Sequence, residues 1–172
     1  MGPIELVFLS IMALFGVIGI VRGYARELGV TIVLLAGLLV LVFLETELTG
    51  YLNQGLAAIA GESVTQQATT KALLFAAFLT GIMFISYQGE TLAFPAKGKS
   101  FIFSLGSGLL NGYLYAGSLW YYLGSANWPY MTISQPYSQF YQFAWRLLPP
   151  NILTWPYLMG LVLFMLIMRV IK

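Results

Sequence analysis

Apolar residues along the chain fall into five blocks: Ile4 to Val21, Leu28 to Leu44, Ala72 to Tyr87, Phe101 to Leu123 and Pro156 to Ile171. A helix that crosses a bilayer needs about 20 mostly apolar residues. The pattern therefore predicts an all-α, polytopic membrane bundle with spans at about 4–21, 28–44, 72–87 and 101–123. The last block is short, about 24 Å at 1.5 Å per residue. With Ile152 to Trp155 added, it makes a fifth, C-terminal crossing. Residues 1–150 are expected to form the core, and residues 151–172 an addition to it. No basic segment precedes Ile4 and no small-residue cleavage site follows Val21, so the first block is read as a retained helix.

The fourth block has a second pattern inside the first. Every fourth residue is small: Ser100, Ser104, Gly108, Gly112 and Ala116. That spacing sets one groove along one face, on which another helix is expected to lie. Apolar burial does not drive helices together in lipid, so close packing must do so. Asn111 is the most polar side chain of this helix. An amide in hydrocarbon seeks a partner, and such bonds typically contribute about 0.6 kcal/mol. Structural glue is the expected role, and Asn111→Leu is expected to be mild. Gly16, Gly19 and Gly23 give the first block a second small-residue edge.

The connections carry the polar chemistry. Val21 to Glu27 joins the first two blocks so tightly that they must form an antiparallel hairpin. Arg22, Arg26 and Glu27 are expected there as headgroup anchors, since an exposed ion pair contributes only about 0–1 kcal/mol. Glu45 to Lys71 reads as a solvated loop, in which Leu52, Leu56 and Ile59 have the spacing of a short amphipathic turn. Gly124 to Trp155 is crowded with aromatics. Within it, residues 136–148 place Tyr137, Phe140, Tyr141, Ala144 and Leu148 on one helical face, and Pro149-Pro150 stops the helix. Trp and Tyr favour the membrane–water boundary, which suits an in-plane interfacial helix. Trp128, Tyr137, Phe140, Tyr141 and Trp145 also have the composition of a partner-docking surface.

Composition sharpens the class. Of 172 residues, 59% are hydrophobic and 8% charged, and mean hydropathy is +0.84. Soluble chains carry about 25% charged residues, so this surface is suited to a lipid bilayer. A net charge of +2 without a basic run gives no reason to expect nucleic acid. The chain has no Cys, His or Asp, which removes disulfides, thiolate metal sites and the usual axial ligands. No cofactor is expected, and no catalytic acid–base pair or activated nucleophile can be assembled. Lys and Arg set the orientation: Arg22, Arg26, Lys97, Lys99, Arg169 and Lys172 share one side, Lys71 and Arg146 the other. The positive-inside rule then puts the N-terminus outside and the C-terminus in the cytoplasm.

Two stretches are similar to the CvpA (colicin V production) family of bacterial membrane proteins. Gly19-Ile20-Val21-Arg22-Gly23-Tyr24-Ala25-Arg26-Glu27-Leu28 resembles the family's Gly-x-x-Arg-Gly…Arg-Glu-Leu hairpin. Leu105-Gly106-Ser107-Gly108-Leu109-Leu110-Asn111-Gly112 resembles its Gly-rich fourth helix, and Ser138…Leu148-Pro149 the stretch that follows. Order and spacing agree over roughly the first 150 residues. The family usually has a basic residue or Asp before the Gly-rich helix; Lys97 and Lys99 stand here, without an Asp, and the last apolar block is an addition. The resemblance implies a four-helix core in the bacterial inner membrane and a non-enzymatic role in colicin V production, export or envelope maintenance, through association with itself or other membrane proteins. The alternative is an accessory subunit of a large respiratory or photosynthetic membrane complex.

Overall fold

The computed structural model describes residues 2–89, 94, 100–131, 133 and 137–171. Among them the secondary structure is entirely helical: α1 (Pro3–Arg22), α2 (Tyr24–Thr46), α3 (Thr49–Ala60), α4 (Val64–Gln88), α5 (Phe101–Ser125), α6 (Gln139–Arg146), α7 (Pro149–Ile152) and α8 (Trp155–Val170). Three helices are long and apolar enough to cross a membrane: Ile4–Arg22, Tyr24–Thr46 and Val64–Gln88. α5, as long as α4, is not one of the three, its apolar run being interrupted by Gly, Ser, Asn and Tyr residues. α8 is apolar but has 16 residues.

α5 is the middle of the bundle, packed against α1, α2, α4 and α7. This explains its composition, because polar side chains deep in a bundle are tolerated where protein surrounds them. The core gathers Leu34, Leu38 and Leu41 of α2, Phe75 and Leu79 of α4, Leu114 and Tyr122 of α5, and Leu158 of α8. α8 lies on the outer side of α2 and buries only Leu158. Trp155, which opens α8, donates its indole N–H to Glu47 Oε1 (2.7 Å) at the end of α2 and meets Phe43 edge-on.

The α1–α5 contact is the most extensive in the bundle, and small residues make it. A Cβ on Gly108 would press on the Phe15 carbonyl oxygen and lie 3.0 Å from Gly19 Cα and 3.1 Å from Gly16 Cα. One on Gly112 would lie 2.9 Å from Met12 Cα. The groove on α5 is thus filled by α1 of the same chain, and the glycines of α1 meet those of α5. Farther along, Ala116 is buried beside Phe8 and Trp120.

Two expectations are corrected. The stretch from Glu45 to Lys71 is no solvated loop: it holds α3 and the first two turns of α4. Leu56 is buried and Leu52 packs on the core, whereas Ile59 stays exposed. Lys71 bridges to Glu45 Oε1 at 2.9 Å, closing this end of α2 onto α4. The helix expected over residues 136–148 is also shorter. α6 starts after its N-cap Ser138, whose Oγ accepts from Tyr141 N (3.0 Å), and ends at Arg146. Pro149 and Pro150 open α7, because proline suits the first turn of a helix, where N–H groups have no partner. Pro136, Lys97, Lys99 and Lys172 lie outside the described residues.

Backbone contact at Gly108 predicts an outcome that a mere preference for small residues does not. Gly108→Ala is expected to lower the stability of the detergent-solubilised protein by at least ~2 kcal/mol, as overpacking does. Gly106→Ala, where nothing lies within 4 Å, is expected to be neutral or slightly stabilising. Thermal unfolding followed by circular dichroism checks this, and equal losses at both positions would refute it.

Candidate functional site

Gly23 alone separates α1 from α2. Its φ of 85° is open to glycine and strained for other residues, and its N–H caps α1 by donating to Gly19 O (2.9 Å). So tight a turn brings the last turn of α1, with Arg22, level with the first turn of α2, with Glu27. A cation at a helix C-terminus and an anion at an N-terminus both complement the helix dipoles. Ser104 Oγ, from the small-residue face of α5, accepts from Tyr24 N (3.1 Å) and so serves one of the free donors at the start of α2.

Glu27 is fully buried, and side chains from three other helices serve it. Arg22 Nη1 of α1 contacts Oε1 at 3.2 Å. Tyr87 of α4 donates its hydroxyl to Oε2 at 2.7 Å. Asn111 Nδ2 of α5 donates to Oε2 at 2.9 Å and to the Glu27 carbonyl at 3.0 Å. Thr31, one turn along α2, lies 2.7 Å from Asn111 Oδ1 and 3.0 Å from the Glu27 carbonyl. Its single hydroxyl proton serves the shorter contact, to an oxygen that can only accept. Both amide protons and the amide oxygen of Asn111 therefore have partners. The Arg22 guanidinium also lies over the Tyr87 ring, 4.3 Å from its centroid, a cation–π contact. Phe15 meets the same ring edge-on.

This corrects the picture of Arg22 and Glu27 as an exposed pair at the headgroups. The Arg22 side chain is 16% exposed and that of Glu27 0%, so the pair is screened little by salt and its geometry matters. Arg26 is on the exposed side of α2. Asn111 is glue, but glue to a charged group. Bonds to charged groups contribute roughly 1.5–3 kcal/mol, more than an ordinary amide contact between membrane helices. Pattern reading missed Thr31 and Tyr87. Thr31 had a signal, since it stands one turn after Glu27; Tyr87, near the end of an apolar run, had none.

The aromatic residues form a second cluster at the other end of α1. Tyr137 stacks on Tyr141 at 4.2 Å, Tyr141 lies 6.0 Å from Trp145, and Trp120 of α5 packs on Tyr141 at 5.1 Å. Trp145 covers Gly124, and the indole N–H of Trp128 donates to the Tyr141 hydroxyl at 3.3 Å. Trp128 and Tyr141 are buried, Tyr137, Phe140 and Trp145 partly so. The five residues read as a docking surface are therefore turned towards α1 and α5 of their own chain. Glu5, which pattern reading passed over, is buried here and accepts a hydrogen bond from the Ser138 hydroxyl.

Chemically, the Glu27 carboxylate is held by an ion pair and two hydrogen bonds. Among the described residues no three His, Cys, Asp or Glu side chains gather in a way that could hold a metal ion. The arrangement is a latch that fixes the register of four helices. Comparison with protein-family models, curated proteins and solved structures gives no match.

Removing one member of a buried ion pair typically costs ~3–5 kcal/mol, since the other is left unpaired. Arg22→Leu and Glu27→Leu are each expected to destabilise the protein on that scale, and the double variant by clearly less than the sum. Asn111→Leu is expected to cost ~2–3 kcal/mol, which revises the mild effect anticipated from sequence. Denaturant titrations of the wild type and these four variants in one detergent decide the matter: strict additivity of Arg22→Leu and Glu27→Leu would show that the pair is not coupled.

Proposed function

We propose that the chain is a CvpA-like multi-pass membrane protein, a non-enzymatic scaffold that supports export or envelope processes in a bacterial inner membrane. One observation carries this reading. The two stretches on which the resemblance rests, the Gly19–Leu28 hairpin and the Leu105–Gly112 segment, form one unit. Gly19 lies against Gly108, Tyr24 N bonds Ser104, and Glu27 bonds Asn111 across 84 positions of sequence. Short motifs that resemble a family by chance have no reason to be neighbours in space.

In this reading α5 is the fourth crossing and α8 the fifth. α5 can cross despite its polar residues because other helices surround it. Arg22, Arg26 and Arg169 stand at one end of the bundle, and Lys71 and Arg146 at the other. That distribution supports a cytoplasmic hairpin, an outer N-terminus and a cytoplasmic C-terminus. A latch of paired side chains supports the scaffold reading, because its carboxylate and its amide are engaged by partners within the protein.

The accessory-subunit reading has a specific observation in its favour. α8 adds to the edge of the bundle a helix whose Tyr157, Leu163, Phe164, Ile167 and Met168 are exposed, a broad apolar face for lipid or for a neighbouring subunit.

Extraction from native membranes in a mild detergent, followed by native mass measurement, separates the two. A small assembly, alone or with export components, together with a leaky envelope or impaired export on gene deletion, is the expected outcome. Co-purification in fixed ratio with the subunits of a large complex, with the envelope barrier intact on deletion, would replace the scaffold reading with the second.

A further inference from the structure

Beside the latch, and opening away from it, a cavity of about 400 Å³ lies between the α1–α2 turn and the start of α5. Its walls are of two kinds. Arg22, Arg26 and Ser100 supply charge and a hydroxyl, while Ile20, Val21 and Phe101 supply apolar surface. Those three apolar side chains are 38%, 82% and 63% exposed, so the cavity continues onto the outside of the bundle. Among the described residues nothing lies within 4 Å of where a Gly23 side chain would stand.

The chemistry of these walls selects a ligand. A guanidinium has five N–H donors in a planar fork that matches phosphate. Glu27 engages one nitrogen of Arg22 and the Tyr87 ring covers one face. Because Arg22 also lines the cavity, its remaining donors have an anion-sized space beside them. Arg26, in the first turn of α2, stands on the same wall. A free anion would use only this half of the site. An amphiphile would use both halves, with its phosphate on the arginines and its glycerol and first methylenes against Ile20, Val21 and Phe101.

We propose that this cavity holds the headgroup phosphate of an anionic phospholipid, gripped by Arg22 and Arg26. Basic pockets between membrane helices on the cytoplasmic side bind such headgroups. The inference rests on the membrane reading above and goes beyond it, because it ties lipid to the latch. Arg22 serves both, so a bound phosphate holds the guanidinium where Glu27 needs it. The lipid is thus expected to stabilise the four-helix register as well as to anchor the hairpin.

The test uses the full chain reconstituted in vesicles of phosphatidylcholine, or of phosphatidylcholine and phosphatidylglycerol in equal amounts, then released and read by native mass spectrometry. The wild type is expected to retain phosphatidylglycerol in preference to phosphatidylcholine and to unfold at a higher temperature with it. Arg26→Gln leaves the latch in place and is expected to weaken retention about tenfold, the usual worth of one charge-assisted hydrogen bond. Ser100→Glu, which sets a negative charge in the cavity, is expected to do the same should the first variant fold poorly. Equal retention of both lipids by the wild type, or unchanged preference in a folded variant, overturns the proposal. Displacement of phosphatidylglycerol by inorganic phosphate at similar concentration would overturn the lipid in favour of a free anion. Failure to insert into either vesicle would instead defeat the membrane reading.

Discussion

A carboxylate with no access to water must be satisfied by its own protein, and in this chain the Glu27 carboxylate of α2 is satisfied from three other helices at once. Stripping a charge of water costs several kcal/mol even after relaxation. Its partners are therefore fixed in place by the penalty for leaving them. Arg22 can reach because Gly23 turns the chain in a single residue. Asn111 can reach because Gly108 and Gly112 let α5 lie with its backbone against α1. Tyr87 can reach because α4 ends level with the start of α2. Shifting any of these helices by one turn would leave a charge or an amide unpaired in an apolar core. Buried ion pairs are weak evidence for stability in themselves, but they are well suited to selecting one register among several apolar packings of similar energy.

The rest of the bundle follows from having α5 in the middle. Its small residues take α1, its aromatic residues near the other end take α6 and α7, and Ser104 and Asn111 find their partners inside. α1 is pinned at both ends, by Arg22 to Glu27 and by Glu5 to Ser138. Between these pins the contact is backbone against backbone, which tolerates no added methyl group at Gly108. The outer surface is left to the apolar faces of α1, α4 and α8, as expected where the surroundings are hydrocarbon. Under the proposed function, this rigidity is the point: the bundle carries no mobile chemistry, and its activity lies in what it holds and where it sits.

The sequence by itself determined the class, the positions of the apolar blocks, the hairpin and the small-residue face, because each depends on local composition or on a helical period. The amphipathic face of residues 137–148 was legible for the same reason. Tertiary structure decided what those features touch. The α5 groove turned out to receive α1 of the same chain, and the aromatic face its own bundle, because spacing names a face without naming its partner. Glu27 and Arg22 read as exposed because charge is normally solvated; only the approach of α4 and α5 makes their site dry. Tyr87 and Glu5 gave no signal, since a single polar residue at the edge of an apolar run looks the same whether it meets water or a buried partner. Burial is a property of pairs of segments, and no single segment records it.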